Sequence, residues 1–278
     1  LLDRPMQKRF AADPLLQATL LLLQERIPRA AAFYNHGVEQ SIGMAAVGGA
    51  EIPIRVMTNP DSATPEVQLL SNGRYNVMIS HAGGGYSRWR DLAMTRWRED
   101  GTRDAWGTFT YLRDRESGAI WSAAHQPTLR RAEHYEAIFS EGRAEFRRRD
   151  RGEHYDFDTH TDIVVSPEDD IELRRVRITN RSGNRRTIEL TSYTEVVLAP
   201  AAADALHPAF SKLFVQTEIV APHQALLCTR RPRSHDEATP WMFHLLAVHD
   251  AALDEISYET DRARFLGRGR DVSAPLAL

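Results

Sequence analysis

From Asn72 onward, apolar side chains alternate with polar ones in short runs separated by turn residues. Tyr75, Val77 and Ile79 follow the Asn72-Gly73 turn signal. Similar runs follow: TFTYLRD, AIWSAA, EHYDFDTHTDIVV, IELRRVRIT, TIELTSYTEVVL, KLFVQTEIV, QALLCTR, MFHLLAVH and EISYETD. A period of two places successive side chains on opposite faces of a β-strand. The sequence therefore predicts a mainly β fold with roughly ten or more short antiparallel strands in a sandwich or barrel.

The residues before this region follow a different pattern. Residues 1–36 contain PLLQATLLLLQERI, whose leucines recur at helical spacing and predict one helix that Pro28 limits. Residues 37–70 are rich in glycine and proline, and they predict a linker with one short strand around residues 52–56. Residues 71–278 are then the predicted β domain. No apolar run reaches the length of about 18 residues that a membrane-spanning helix needs.

Composition excludes several classes of function. The 35 basic and 38 acidic residues give a net charge of -3, which argues against a nucleic-acid partner held by bulk positive charge. Cys228 is the only cysteine, so the sequence predicts neither a disulfide framework nor a thiolate metal site. Because Cys228 lies in an apolar strand-like run, we expect it to be a small buried hydrophobic residue.

The densest candidate for a binding site is the segment from residue 81 to residue 121. It holds four of the five tryptophans, Trp89, Trp97, Trp106 and Trp121, interleaved with arginines and acids. Flat aromatic faces and arginine donors are what a carbohydrate site uses for C–H surfaces and hydroxyls. The composition equally fits tryptophans in the core with arginines paired to neighbouring acids, and the residue pattern alone leaves both interpretations open.

The order of these residues resembles a known family. Gly84-Gly85, Tyr86-Ser87, Trp89, Asp91, Thr95-Arg96-Trp97-Arg98, Asp104, Tyr111, Asp114 and Trp121-Ser122 follow the pattern of the N-terminal β domain of glycoside hydrolase family 94, the inverting phosphorylases similar to cellobiose phosphorylase. Within that family, LTSYTEVVLAPAAADALHPAFSKLFVQTE and TDRARFLGRGR resemble the phosphorylase-like part of cyclic β-1,2-glucan synthases. The resemblance runs from about residue 70 to the end.

The resemblance implies a large antiparallel two-sheet super-sandwich, similar to that of galactose mutarotase, with a helical segment before it. It also implies that the chain is a fragment of a longer bacterial enzyme. The catalytic general acid would lie on an (α/α)6 barrel absent from this sequence, and inorganic phosphate would be the co-substrate of the whole enzyme. The expected function is therefore non-catalytic, with no cofactor and no metal of its own.

The resemblance also implies partners and a location. The expected partners are a β-glucan oligosaccharide and the (α/α)6 domain of the same protein, and a homodimer is a further arrangement that the family allows. The expected location is the cytoplasmic side, with other segments of the longer protein supplying any anchor in the inner membrane.

The resemblance places the glycine-rich turn HAGGGYSRWRD near the junction with the barrel. The glycines would let the main chain approach the partner domain or the end of a glucan. The expected substrate-binding residues line that edge: Tyr86, Arg88, Trp89, Arg90, Asp91, Arg96, Trp97 and Asp104.

Two weaker patterns are better explained without a ligand. His154, Asp156, Asp158, His160 and Asp162 occupy alternate positions, and on one strand they would stand in a row on a solvated face rather than converge on a metal. Glu168, Asp169 and Asp170 follow Pro167 and are typical of a solvated turn.

A different class of function fits the same residues. The chain could be a stand-alone carbohydrate-binding or dimerisation module without a role in turnover. A mutarotase-like enzyme on the shared fold would need converging His and Glu residues, which the spacing does not supply.

Overall fold

The alternating pattern forms strands in a computed structural model, which describes residues 53–98, 106–232 and 240–278. The strands are β1 Arg55–Met57, β2 Val67–Ser71, β3 Tyr75–Ser80, β4 Gly85–Trp89, β5 Leu92–Thr95, β6 Phe109–Asp114, β7 Ile120–Ser122, β8 His134–Ser140, β9 Arg143–Arg151, β10 Asp156–Val165, β11 Glu172–Asn180, β12 Ile188–Tyr193, β13 Val196–Pro200, β14 Val215–Val220, β15 Ala225–Arg230 and β16 Trp241–Leu245. The helices are α1 Ala201–Leu206, α2 Pro208–Lys212 and α3 Arg262–Leu266, with a 3₁₀ turn at Ala221–His223.

These strands form four antiparallel sheets. Sheet A has the order β1-β8-β9-β10-β11, and sheet B has the order β13-β5-β4-β3-β2. Sheet C is β12-β6-β7, and sheet D is β14-β15-β16. Every strand pair is antiparallel, as the short turns between the runs predict. The expected mainly β, antiparallel super-sandwich is confirmed.

Sheet A is the common layer of the sandwich. Its buried side chains, among them Phe139, Phe146 and Ile163, pack against Val77 and Ile79 of sheet B. Further along, they meet sheet C in a second cluster of Leu112, Trp121, Ala123, Tyr155 and Phe157. Trp121 stacks on Tyr155 with ring centroids 6.0 Å apart and planes 6° apart. The two clusters fix the position of every strand that carries a candidate site residue.

Residues near the C-terminal end of the sequence pack on sheet C. Phe265 and Leu266 of α3 and Val272 pack on Phe109 and Tyr111. Tyr111 is fully buried, and its hydroxyl donates a hydrogen bond to the backbone oxygen of Val272 at 2.6 Å. No helix among the described residues has both the length and the apolar character needed to cross a membrane.

Several expected boundaries are wrong. The strand predicted over residues 187–198 is two strands in different sheets, because Glu195 between them points into a buried cluster of cations. Residues 255–261 form no strand, since they meet no partner strand among the described residues. The expected linker over residues 37–70 holds β1 near the one short strand predicted there, and it also holds the start of β2. The compact unit spans Ile52–Leu278. The helix predicted within residues 1–36 lies outside the described residues.

Candidate functional site

The central strand β4 separates the candidate residues by the period of two. Tyr86 and Arg88 are half-buried on the face of sheet B that points away from sheet A. Ser87 and Trp89 point towards sheet A: the Ser87 hydroxyl donates to Glu172 Oε2 at 2.6 Å, and Trp89 packs against the core. Strand β4 thus places two side chains on the outer face of sheet B and attaches the strand to sheet A through the other two.

Tyr86, Arg88 and Trp97 form what we call the Tyr86 surface. The rings of Tyr86 and Trp97 meet edge to face, with centroids 5.7 Å apart and planes at 61°. Both side chains are partly exposed. The Arg88 side chain makes no hydrogen bond or ion pair with any residue that the structure describes, and its Nε is buried without a partner among them. This surface therefore combines two aromatic rings with an arginine whose donors are not used within the described sandwich.

Trp89, Arg90 and Asp91 serve the turn between β4 and β5. The indole Nε1 of Trp89 donates to Asp170 Oδ2 at 2.6 Å, and the Arg90 guanidinium lies 4.7 Å from the centre of the Trp89 ring. The hydrogen bonds from Trp89 and Arg74 hold the pKa of Asp170 below its ordinary value. Trp89 is consequently an anchor with one face covered, whereas Asp91 is exposed in the turn.

The glycines before Tyr86 admit other parts of the same sandwich. A Cβ atom on Gly84 would lie 2.2 Å from Gln126 Oε1, and one on Gly85 would lie 1.9 Å from the backbone oxygen of Met78. The Gly85 N–H also donates to the Trp106 oxygen at 2.7 Å. On the side where a Cβ atom would project, strand β3 and the loop at residue 126 occupy the space beside these glycines. That the glycines admit a partner domain or a glucan stays a prediction.

Arg96 belongs to a buried ion cluster. It donates to both carboxylate oxygens of Asp204 at 3.0 and 2.8 Å and to Glu195 at 2.9 Å, and its side chain is only 3% exposed. Arg98 binds Asp204, while Lys212 and Arg262 bind Glu195. The role of Arg96 in binding substrate stays a prediction; in this structure Asp204 and Glu195 use its donors, and its side chain is shielded from solvent.

The cations of this cluster set the protonation state of its two carboxyl groups. Burial by itself raises the pKa of Asp204, but the hydrogen bonds from Arg96 and Arg98 outweigh it and hold that pKa below its ordinary value. The pKa of Glu195 is likewise lowered, because Arg262 and Lys212 outweigh the effect of its burial. Both carboxyl groups are ionised at neutral pH and act as structural acceptors.

The alternating row in β10 is partly a paired surface rather than a solvated one. Glu145 of β9 comes together with His160 and Asp162, with ligand atoms within 4.8 Å of one another. The spacing of the alternating row does not predict this cluster, because Glu145 lies on the neighbouring strand. Arg143 and Arg175 bind Asp162, and further arginines bind the other acids of the row. Guanidinium groups therefore occupy the oxygens that a cation would need.

Of the seven predicted site residues that the structure describes, three lie together on the outer face of sheet B. Those residues are Tyr86, Arg88 and Trp97. Trp89 and Arg90 stack at a turn, Asp91 is exposed beside them, and Arg96 is buried with its acids. Asp104 lies outside the described residues. The acidic turn of Glu168, Asp169 and Asp170 is a turn as predicted, but Asp170 is tied to Trp89.

Comparison with known proteins places this fold. Residues 50–278 match the family model described as Glycosyl hydrolase 94, supersandwich domain. The chain is 36% identical over 273 residues to the cyclic beta-(1,2)-glucan synthase NdvB of Rhizobium meliloti, covering 98% of this chain and 10% of that protein. It is 29% identical over 228 residues to the N,N'-diacetylchitobiose phosphorylase of Vibrio furnissii, covering 80% of this chain and 27% of that protein. It is 24% identical over 228 residues to the solabiose phosphorylase of Paenibacillus borealis, covering 79% of this chain and 28% of that protein. The chain thus spans a small part of each relative.

Proposed function

Because the chain belongs to the glycosyl hydrolase 94 supersandwich family, we propose that it is the non-catalytic, carbohydrate-associated sandwich of a longer bacterial β-glucan-processing protein. The names of its relatives support this class of substrate, since one is a glucan synthase and others are disaccharide phosphorylases. In this proposal the sandwich helps to hold a glucan chain while another domain, an (α/α)6 barrel, carries out the reaction with inorganic phosphate.

The Tyr86 surface is the observation that carries the proposal. Aromatic rings that present an exposed face or edge bind the C–H surfaces of sugar rings, and an arginine adds donors for hydroxyl oxygens. Tyr86 and Trp97 hold each other edge to face, so a bound sugar would not have to order them. Arg88 lies two residues from Tyr86 on the same face of β4, where its donors can reach the same ligand.

The buried carboxylates near this segment support a non-catalytic role. A glycosidic bond is cleaved with the help of a general acid whose pKa is raised, so that it keeps a proton at working pH. The pKa values of Asp204 and Glu195 are lowered, and arginines occupy their oxygens. These groups cannot give a proton to a leaving oxygen near neutral pH, and the proposal assigns that step to the other domain.

Calorimetric titration of the 278-residue chain tests the proposal. The ligands are linear β-1,2-gluco-oligosaccharides and, in parallel, cello-oligosaccharides. We expect saturable binding, with a Kd that rises about tenfold or more in Trp97→Ala and in Tyr86→Ala, the usual size of effect for a central aromatic contact. Trp241→Ala is the matched control, because Trp241 is 63% exposed on sheet D and carries no proposed sugar contact.

Equal Kd values for the parent chain, Trp97→Ala and Tyr86→Ala would refute the assignment of the Tyr86 surface. The linkage that binds more tightly identifies the class of glucan. Circular dichroism spectra of the variants confirm that a lost signal reflects binding and not folding.

A second function, docking to the rest of the longer protein, is favoured by the outer face of sheet D. Trp241, Phe243 and Leu245 of β16 alternate onto one face and are 63%, 56% and 51% exposed. Exposed apolar groups of this size mark interaction surfaces. We infer that the catalytic domain covers this face, and Phe243→Ser then lowers the unfolding temperature of the longer protein while leaving that of the 278-residue chain unchanged. Equal shifts in both proteins would contradict the docking role.

A further inference from the structure

A polar cleft of about 530 Å³ lies where three turns meet at one end of the sandwich. The turns are those between β6 and β7, between β9 and β10, and between β11 and β12, and they contribute Ser117, His154 and Ser182 among others. The volume falls within the range of about 300–1,000 Å³ that small-molecule sites occupy. The cleft shares no residue with the Tyr86 surface, and it lies at the opposite end of β10 from the turn that holds Trp89.

Three arginines line this cleft with unused donors. Arg181 uses Nε for Asp158 at 2.6 Å, and its terminal nitrogens make no hydrogen bond to the described residues. Arg151 reaches its nearest carboxylates, those of Glu133 and Asp156, only at 3.8 and 4.0 Å. These side chains are 57% and 60% exposed, so their donors face solvent and any ligand in the cleft.

The third arginine, Arg186, has a mostly buried side chain that forms an ion pair with Asp114 but no hydrogen bond to the described residues. Its side chain is 9% exposed, and its NH1 lies 3.6 Å from Asp114 Oδ2, which is beyond hydrogen-bonding distance. Its Nε is buried with no partner among the described residues. A buried donor without an acceptor costs free energy, and an oxygen of solvent or of a ligand in the cleft would satisfy it.

Two of the three acids that line the cleft are already engaged. Asp156 accepts two hydrogen bonds from Arg149 at 2.9 and 2.7 Å, and these bonds lower its pKa. Glu116 accepts the Thr187 N–H at 3.1 Å. The lining holds three arginines against the acids Glu116, Glu153 and Asp156, so the fixed charges cancel. The cleft therefore offers donors without the net positive charge that would favour a polyanion.

The floor of the cleft is rigid. Tyr155 stacks on the fully buried Trp121, and a Cβ atom on Gly152 would lie 2.3 Å from the Tyr155 ring, so the backbone at Gly152 lies directly on that ring. The Arg130 guanidinium also contacts the Tyr155 hydroxyl. A preformed floor lowers the cost of ordering a site on binding.

We propose that this cleft is a second carbohydrate site, which binds a neutral gluco-oligosaccharide through the donors of Arg151, Arg181 and Arg186. An uncharged ligand with many hydroxyl oxygens matches unused donors in a lining of zero net charge. That the sugar is a glucan rests on the proposed function, but the site itself stands on its own geometry. Two separate sites would let the sandwich hold one long chain at two points.

Calorimetric titration with a linear β-1,2-gluco-oligosaccharide tests the site in four variants of the 278-residue chain, each made in the parent chain and in the Tyr86→Ala chain. Gly183→Trp fills the cleft, since Gly183 lines it with open space around its Cβ position. Arg181→Ala removes exposed donors. The matched controls are Gly183→Ala and Arg131→Ala, because Arg131 is 88% exposed outside the cleft.

We expect Gly183→Trp to abolish the binding that persists in Tyr86→Ala, and Arg181→Ala to raise its Kd about tenfold, the effect of losing one charge-assisted hydrogen bond. The controls keep Kd within about twofold of the parent value. Binding that is lost in Tyr86→Ala and unchanged in Gly183→Trp would overturn the cleft while leaving the proposed function intact. Absence of any sugar binding, or binding of inorganic phosphate alone that Gly183→Trp removes, would also overturn it.

Discussion

Replacing Arg96 with alanine separates a structural role from a binding role for this residue. The side chain makes three hydrogen bonds of 2.8–3.0 Å to Asp204 and Glu195. Those carboxylates are 2% and 9% exposed, so little water can replace the guanidinium. The variant leaves buried negative charge near β5 and α1, although Arg98 still binds Asp204 and Lys212 and Arg262 still bind Glu195.

The expected cost is about 3–5 kcal/mol in the free energy of unfolding, the range for breaking a buried pair by removing one partner. The remaining cations favour the lower end of that range. Arg131→Ala provides the matched control: Arg131 is 88% exposed, and its removal should change stability by less than about 0.5 kcal/mol.

Urea denaturation followed by tryptophan fluorescence measures both variants, and its pH dependence identifies the cause. The pKa values of Asp204 and Glu195 are lowered from 3.8 and 4.5 in the folded chain. Their contribution to stability is therefore present above those unfolded values and is lost as pH falls through the lower folded values. The stability difference between parent and Arg96→Ala should be large at neutral pH and shrink below about pH 4.

A loss of less than about 1 kcal/mol at neutral pH would refute this reasoning, because such a value is typical of an exposed ion pair. A difference that does not change with pH would show that lost packing, and not stranded carboxylates, causes the effect. Asp204→Ala combined with Arg96→Ala gives a further check, since the double variant should cost less than the sum of the two single ones.

Three further predictions concern packing and titration. Gly85→Ala should destabilise the chain by about 1–3 kcal/mol in thermal unfolding, because its Cβ would lie 1.9 Å from a backbone oxygen of β3, whereas Gly183→Ala, in open space, should not. Trp121→Ala should cost about 3–5 kcal/mol in urea, since Trp121 is fully buried in the core; a cost below about 1 kcal/mol would contradict the stacking. Burial raises the pKa of Tyr111, so its contribution to stability is present below about pH 10 and is lost as pH rises further. Tyr111→Phe should cost about 0.5–1.5 kcal/mol at neutral pH and weaken the alkaline transition, which phenolate absorbance follows.

The alternation of apolar and polar residues with a period of two was enough to predict the fold class, but it does not predict which strands pair with each other. Tyr75, Val77 and Ile79 are buried as their alternation predicts, and Cys228 is buried as its apolar run predicts. The strand β9, in contrast, has the sequence RAEFRRRDR. Its many charged residues do not show the alternating pattern that would predict a central strand. Those arginines sit in the sheet because acids of β10 and of β9 itself pair with them: Asp156 binds Arg149, and Asp150 binds the buried Arg148.

The site could be predicted only in part, for the same reason. Aromatic and arginine content pointed to the segment that holds the proposed Tyr86 surface, yet composition cannot say which arginine meets a carboxylate. Asp204 lies 108 residues from Arg96, and no spacing rule connects them. The cleft of Arg151, Arg181 and Arg186 was missed because its residues come from three turns that are separate in sequence.

The alternation in β4 also decides how binding experiments should be interpreted. Tyr86 and Arg88 project from the outer face, so replacing them changes a surface and leaves the core intact. Trp89 holds Asp170 and contacts the core, so Trp89→Ala alters the position of the turn at residues 166–171 and of β4 itself. A loss of sugar binding in Trp89→Ala therefore has two physical causes that affinity alone cannot separate. A loss of sugar binding in Trp97→Ala has a single physical cause, because Trp97 contacts Tyr86 on the outer face of sheet B. If Trp97→Ala raises the Kd for the sugar and leaves the unfolding temperature unchanged, the outer face of sheet B is assigned to the ligand.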